Sequence, residues 1–268
     1  MKKRIVVKLM VMGLMVALVS GCAKKSDVDK DKDQLQAIKD KGEIVIAMEG
    51  TWAPWTYHDE NNELVGFDVE VGKIIADKLG VKATFVEGEW DGLFAGLDSE
   101  RYDIIINGVE VTDERKEKYD FSVPYCYIHT ALIVNEDNED ITSFEDLKGK
   151  TTANSIASTY MLLAEEYGAT VQGVDSLDET LQMVMSGRVD ATLNADVSFY
   201  DYLNVHPESK LKVVATTDDA SLVCIPIRKG EKSASLKAEI DKAIEEARSS
   251  GELSEASKKY FGSDISGQ

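Results

Sequence analysis

Glu43-Ile-Val-Ile-Ala-Met48 sets the fold class: after its first residue it is wholly apolar and rich in β-branched side chains, and Gly42 and Gly50 bound it. A run this short with no polar alternation reads as a strand buried on both faces. Downstream, Phe67, Val71, Ile74, Ile75 and Leu79 recur at helical spacing with Asp68 near the start and Gly80 as the stop. A strand over 83–87, a short helix over 90–97 and a second buried strand over 102–106 follow. The later half repeats the alternation, with strands over 131–134, 171–174, 189–193 and 211–214. Between them come a short helix opened by Ser143-Phe-Glu-Asp146 and a helix over 158–167 closed by Gly168. Another helix is announced by the capping-box sequence Ser176-Leu-Asp-Glu179 and by Gly187. A charged helical tail spans 235–260. Strand and helix alternating through short connections imply α/β architecture with mainly parallel sheets. In such sheets small ligands bind beyond the carboxyl ends of the strands. That singles out the loops 49–57, 107–115, 155–160 and 194–196, together with Trp90.

The N-terminus is not part of this pattern. Met1-Lys-Lys-Arg4 is basic, 5–19 is apolar apart from Lys8, and Val19-Ser-Gly-Cys22 closes it with small residues and a cysteine. This order describes a secretory signal peptide over 1–21. A membrane-spanning anchor needs roughly 20 uninterrupted apolar residues, which Lys8 denies it. The cysteine after Ser-Gly resembles a bacterial lipobox, which implies cleavage before Cys22 and lipidation of its thiol. The polar stretch that follows cannot bury enough surface to offset its ordering entropy, so 22–36 is expected to be a flexible tether. About 230 residues remain, enough for one large or two small domains.

The chain carries 30 Lys+Arg against 49 Asp+Glu, and removal of 1–21 takes away Lys2, Lys3, Arg4 and Lys8 and no acid, deepening the formal charge from −19 to −23. Such a surface repels nucleic acid, which is excluded as a partner. His58, His129 and His206 lie far apart and no Cys-x-x-Cys occurs, so no metal site is expected. No nucleophile elbow, spaced His–acid set or phosphate loop is present either, so neither catalytic residues nor a cofactor are expected. Cys126 and Cys224 are left as a possible disulfide in an oxidising exterior, or as two buried free thiols.

Two loops carry candidate chemistry. Gly50-Thr-Trp-Ala-Pro-Trp-Thr-Tyr57 packs three aromatics into one connection, where Trp52 or Tyr57 could stack on a ligand or cap the core edge. In Asn107-Gly-Val-Glu-Val-Thr-Asp-Glu-Arg115, Thr112 can cap a helix carrying Arg115. A guanidinium near strand ends suits a carboxylate held bidentately; the alternative is pairing with Glu114 or Glu117 on a solvated face.

At these loops the sequence resembles the extracellular solute-binding proteins of polar amino-acid ABC importers (family 3), and most of all their cystine-binding branch. The matching runs include Leu64-Val-Gly-Phe-Asp-Val-Glu-Val71, Trp90-Asp-Gly-Leu93, Arg101-Tyr-Asp-Ile-Ile-Ile-Asn107, the stretch from Val111 to Tyr125, Gly187-Arg-Val-Asp-Ala-Thr-Leu-Asn194 and Lys258-Lys-Tyr-Phe-Gly262. The resemblance implies a type II periplasmic-binding-protein-like fold: lobe 1 over 37–126 and 227–268, lobe 2 over 127–226, joined by two crossover strands near 124–128 and 222–227. Those crossovers would bring Cys126 and Cys224 onto neighbouring strands. It further implies a ligand carboxylate on Arg115 with backbone N–H groups near Glu110 and Thr159, Trp52 and Trp90 around the side chain, and Glu49 facing the ligand. Ser158, Asn107, Gly108, Asn194 and Asp196 complete the expected set. The family commonly places Asp at the position of Ala195 to hold the α-ammonium, and small or hydroxylated residues at that of Glu110, so Glu110 is expected to take over the ammonium or to read a cationic side chain. The implied partners are an amino-acid ligand, an importer permease and the membrane through lipid at Cys22, with the protein acting as a monomer. A dehydratase-like exported enzyme and a sensor or adhesin lobe are the alternatives on this scaffold.

Overall fold

The computed structural model describes residues 33–267. The expected leader, Cys22 and the tether up to residue 32 lie outside the described residues. Helix α1 (Gln34–Lys41) is capped by Asp33, whose carboxylate accepts from the Gln36 amide at 3.0 Å. Gln34 is buried, donating to Asp103 O at 3.2 Å and accepting from Ser233 Oγ at 2.8 Å. Folded structure therefore begins inside the stretch expected to be tether through residue 36, because partners distant in sequence satisfy polar groups that local composition leaves stranded.

Strand β1 (Glu43–Met48) runs into a small antiparallel sheet, β2 (Thr51–Trp52), β3 (Thr56–His58) and β4 (Leu64–Val65), whose strands are too short to show a period in the sequence. Next come α2 (Phe67–Leu79), β5 (Lys82–Glu87), α3 (Trp90–Asp98) and β6 (Ile104–Ile105). The first lobe's sheet has order β5-β1-β6, all parallel, with β1 in register on β5 from Glu43↔Lys82 to Met48↔Glu87. Then α4 (Asp113–Lys118), β7 (Tyr119–Phe121) and β8 (Cys126–Ile128) lead out of this lobe.

The second lobe holds β9 (Thr130–Asn135), β10 (Thr151–Asn154), α5 (Thr159–Glu166) and β11 (Thr170–Gly173), then α6 (Leu177–Met185), β12 (Ala191–Ala195), α7 (Asp196–Val205) and β13 (Leu211–Thr216). Its order is β11-β10-β12-β9-β13, and β9 is antiparallel to both neighbours. The sheet is therefore mixed, with β9 alone running against four strands that share a direction. Strand β9 enters from a crossover instead of a strand–helix–strand unit, so nothing obliges it to run with the others. The segment Phe144–Leu147, expected as a short helix, forms a 3₁₀ turn opened by a Ser143 and Asp146 capping box.

The chain returns through β14 (Ser221–Val223) and β15 (Pro226–Arg228), which pair antiparallel with β8 and β7. These two ribbons are the crossovers of a two-lobed, type II α/β fold. Helices α8 (Glu231–Ser250) and α9 (Glu252–Phe261), split at Gly251 in the left-handed conformation (φ 89°), pack back on α1 and α2. Cys126 stands opposite Val223, while Cys224 lies one residue further and falls on the alternate side. Both are buried free thiols. The anticipated disulfide is thus not formed, since antiparallel pairing sets only register partners side by side. Burial pushes the Cys224 thiol up to about 12 and lifts that of Cys126 well above its ordinary value, which leaves both protonated and inert.

Trp55 anchors the junction between the lobes. It is fully buried, with ring centroids 4.9 Å from Phe261 and 5.8 Å from Phe67. Its indole N–H donates to Ser198 Oγ of α7 at 2.8 Å, a buried bond that crosses from one lobe to the other.

Candidate functional site

The site is assembled on a buried carboxylate. Asp68, which the sequence offers as a helix-start residue, turns inward and is fully buried. It accepts from the Gly108 amide at 2.7 Å and the Tyr125 hydroxyl at 2.8 Å. Burial lifts its pKa to about 7 against the pull of those two donors. The loop is thereby fixed with Gly108 at φ 55°, and a Cβ there would lie 2.5 Å from Cζ3 of Trp52. Trp52 in turn stacks on Trp55, centroids 5.1 Å apart at 17°. Gly108→Ala is accordingly expected to cost about 1–3 kcal/mol of stability from strain and overpacking. It should also weaken ligand binding by displacing Trp52; melting temperature and ligand affinity measured together check both effects.

Arg115 sits on α4, capped as expected by Thr112, whose Oγ1 accepts the Arg115 amide at 3.1 Å. The side chain leaves the solvated face. Glu114 pairs instead with Lys118 at 3.1 Å. The guanidinium centre lies 5.3 Å from the Trp90 ring and 5.4 Å from that of Phe94. Nη1 donates to Glu110 O at 2.8 Å and Nη2 to Ala157 O, in the other lobe, at 3.2 Å. Burial draws its pKa down and the Glu110 carboxylate resists, but a guanidinium remains a cation at any physiological pH. It keeps further N–H groups for a ligand.

Glu110 is 5% exposed, and its Oε1 accepts from Thr159 Oγ1 at 2.5 Å across the lobes. Asn107 grips Glu49 twice: its Oδ1 accepts the Glu49 amide at 2.8 Å and its Nδ2 donates to Glu49 Oε2 at 2.7 Å. Burial pushes the Glu49 carboxyl up to about 7, countered by the Asn107 bond and reinforced by the charges of Glu89 and Asp175. In the second lobe Ser158 caps α5, accepting from the Met161 amide at 3.1 Å, and Ala157 adopts φ 59°. Asn194 is buried, its Oδ1 accepting the Ala195 amide at 2.9 Å.

These residues line one cavity between the lobes, of about 520 Å³ counted to its open mouth. It brings together Arg115, Glu110, Trp52, Trp90, Glu49, Thr159, Ser158, Asn107, Gly108 and Asn194. Asp196 is not among them. At the start of α7 its Oδ1 folds back onto the amides of Val197 (2.8 Å) and His129 (3.4 Å), and it lines a separate hollow beside Asp218 and Asp264. Sequence spacing misplaced it because a first-turn Asp beside free helix N–H groups satisfies itself locally. Asp175, Ser176 and Leu177 join the cavity without having been singled out. Their signal was available: they follow the carboxyl end of an expected strand, like the loops that were chosen. Of the residues lining the cavity, Trp52 carries a buried indole N–H with no hydrogen-bond partner among the described residues.

The model of the bacterial extracellular solute-binding proteins, family 3, matches residues 44–263. The L-cystine-binding protein TcyA of Bacillus subtilis (strain 168) is 39% identical over 270 residues, covering 99% of this chain and 100% of its own. A solved structure of an ancestral arginine-binding protein bound to glutamine aligns with TM-score 0.77 at 36% identity, covering 82% of this chain and 98% of that one. The L-cystine solute receptor of Neisseria gonorrhoeae, in its unliganded open conformation, aligns with TM-score 0.61 at 37% identity, covering 88% of this chain and 99% of its own. Equal sequence identity with poorer superposition on an open form is what a rotation between lobes produces. The cross-lobe bonds at Trp55, Glu110 and Arg115 place this structure on the closed side of that motion.

Proposed function

The chain belongs to the bacterial extracellular solute-binding proteins, family 3, and from that premise we propose that it captures cystine or another polar or cationic amino acid by closing its lobes and delivers it to the permease of an ABC importer. The observation that carries this is Arg115: a permanent cation held against two aromatic rings inside the cleft, with groups from both lobes around it. A ligand carboxylate on Arg115 and an ammonium on Glu110 would touch both lobes and so favour the closed population. Export under the leader, lipidation of Cys22, membrane attachment through that lipid and action as a monomer belong to the same proposal. So does a division into lobes near 126 and 227, where the crossover ribbons run.

The protein acts as a binder and not an enzyme on this scaffold. Glu49, with its pKa near 7, is the residue a dehydratase-like activity would draft as an acid, and recovery of a chemically altered amino acid after incubation would overturn the binding reading. The direct test is a thermal-shift screen against the amino acids. A selective ligand raises the melting temperature because it binds only the folded state; no shift with any amino acid would sink the proposal.

The raised carboxyls give a pH dependence of defined sign. Asp68 and Glu49 have ordinary values of 3.8 and 4.5 and sit at about 7 in the folded chain. The folded state therefore holds more protons than the unfolded one in between, so stability falls as pH rises from about 4 to about 7 and levels off above. Without added ligand, the protein is expected to melt higher at pH 5 than at pH 8. Glu49→Gln, which preserves the acceptor for Asn107, should flatten part of that slope in parallel melts.

A further inference from the structure

We propose that the hydrogen bond from Trp55 Nε1 to Ser198 Oγ is a latch between the lobes: it holds part of the ligand-free chain closed and so raises affinity for every amino acid alike. The inference rests on the lobe-closing reading above. The bond is 2.8 Å long and wholly sheltered, with Trp55 0% and Ser198 1% exposed. Each end is fixed in the body of its own lobe. The Trp55 ring meets Phe261 and Phe67 edge-on and stacks on Trp52, which sets the direction of its N–H. Ser198, on α7, is followed by Phe199, which is fully buried in one apolar cluster with Ala131, Ile133, Val184 and Leu211 of the second lobe. Two other cross-lobe bonds, Arg115 to Ala157 O and Thr159 to Glu110, involve side chains that line the amino-acid cavity, so a ligand competes for the same groups. Neither Trp55 nor Ser198 lines that cavity; Ser198 borders the separate hollow beside Tyr57 and Asp201. An amino acid bound at Arg115 therefore neither replaces the latch nor needs it broken. Opening the lobes moves the Trp55 N–H from a dry acceptor into water, so the bond contributes to closure what one neutral hydrogen bond contributes net. A closing contact made without the ligand enlarges the binding-competent population, and apparent affinity scales with that population.

The experiment combines Ser198→Ala with Trp55→Phe, singly and together, in the full chain purified free of ligand. Calorimetric titration with L-cystine, L-arginine and L-glutamine reads affinity, and small-angle scattering without ligand reads closure. Ser198→Ala strands a buried indole N–H in the closed form only. It should weaken every amino acid that binds by a common factor, roughly fivefold to fiftyfold, and leave their ratios intact. It should also enlarge the ligand-free radius of gyration, because the open population grows. Trp55→Phe removes the donor, so adding Ser198→Ala to it should change affinity by less than about twofold, a non-additivity that a merely structural serine would not show. Unchanged affinities, a loss confined to one amino acid, or equal losses from Ser198→Ala in both backgrounds overturns the latch while sparing the parent reading. A radius of gyration that Ser198→Ala leaves unchanged overturns it as well. Should no amino acid bind, the parent reading falls and scattering alone judges the latch.

Discussion

Arg115→Lys is expected to weaken amino-acid binding by about 2–5 kcal/mol, roughly 30-fold to several-thousand-fold, although it keeps the charge. The reason is geometric. The guanidinium lies against the edge-to-face pair Trp90 and Phe94 and is tied by Nη1 and Nη2 to Glu110 O and Ala157 O, which belong to different lobes. A lysine ammonium has neither the plane to stack nor the fork that holds both carbonyls while still meeting a carboxylate. Arg115→Ala should lose at least as much. Because the side chain carries little of the core, both variants should melt close to the native protein when no ligand is added, and calorimetry should register the loss as binding alone. Retention of native affinity by Arg115→Lys would show that the ligand carboxylate is held elsewhere.

How much of this could be read from the chain is itself explained by where each signal lives. Buried strands such as Glu43–Met48 and helices with local caps, Thr112 on α4 and Ser176 on α6, were legible because hydrophobic period and capping are short-range. The β2–β4 sheet was not, since two- and three-residue strands have no period to show. Nor was α7, whose N-cap is Ala195 with no side-chain bond to announce it. In the aromatic loop the residues alone left Trp52 and Tyr57 as alternatives for a ligand face; Trp52 lines the cavity, stacked on Trp55 of the core, while Tyr57 lines a different hollow. Asp68 and Asp196 illustrate the same limit for charge. One looked like a helix-start residue and is the buried support of Gly108; the other was expected among the ligand contacts and folds back onto the amides of Val197 and His129. Residue type and spacing nominate a carboxylate, but its partners, 40 and 57 residues away for Asp68 and one amide away for Asp196, determine what it does.

Glu110 is the carboxylate for which that distinction has the largest measurable consequence. The position aligned with the family's usual ammonium-binding Asp is Ala195, buried and without a polar side chain. Glu110, 5% exposed, accepts from Thr159 Oγ1 and lines the cavity, with Arg115 bonded to its own carbonyl. A carboxylate this buried needs a compensating donor, and one threonine hydroxyl compensates it incompletely. An α-ammonium supplies both the missing charge and the hydrogen bonds. Glu110→Gln keeps the shape and removes the charge, so it should weaken binding by the worth of a charge-assisted bond, about 1.5–3 kcal/mol, or roughly 10- to 100-fold. The pattern across ligands separates its two possible duties. If Glu110 holds the ammonium every α-amino acid shares, arginine, cystine and glutamine weaken by similar factors and their ratios stand. Were it to read a basic side chain instead, arginine alone would suffer and glutamine would be untouched. Unchanged affinity for all of them would remove Glu110 from the site altogether.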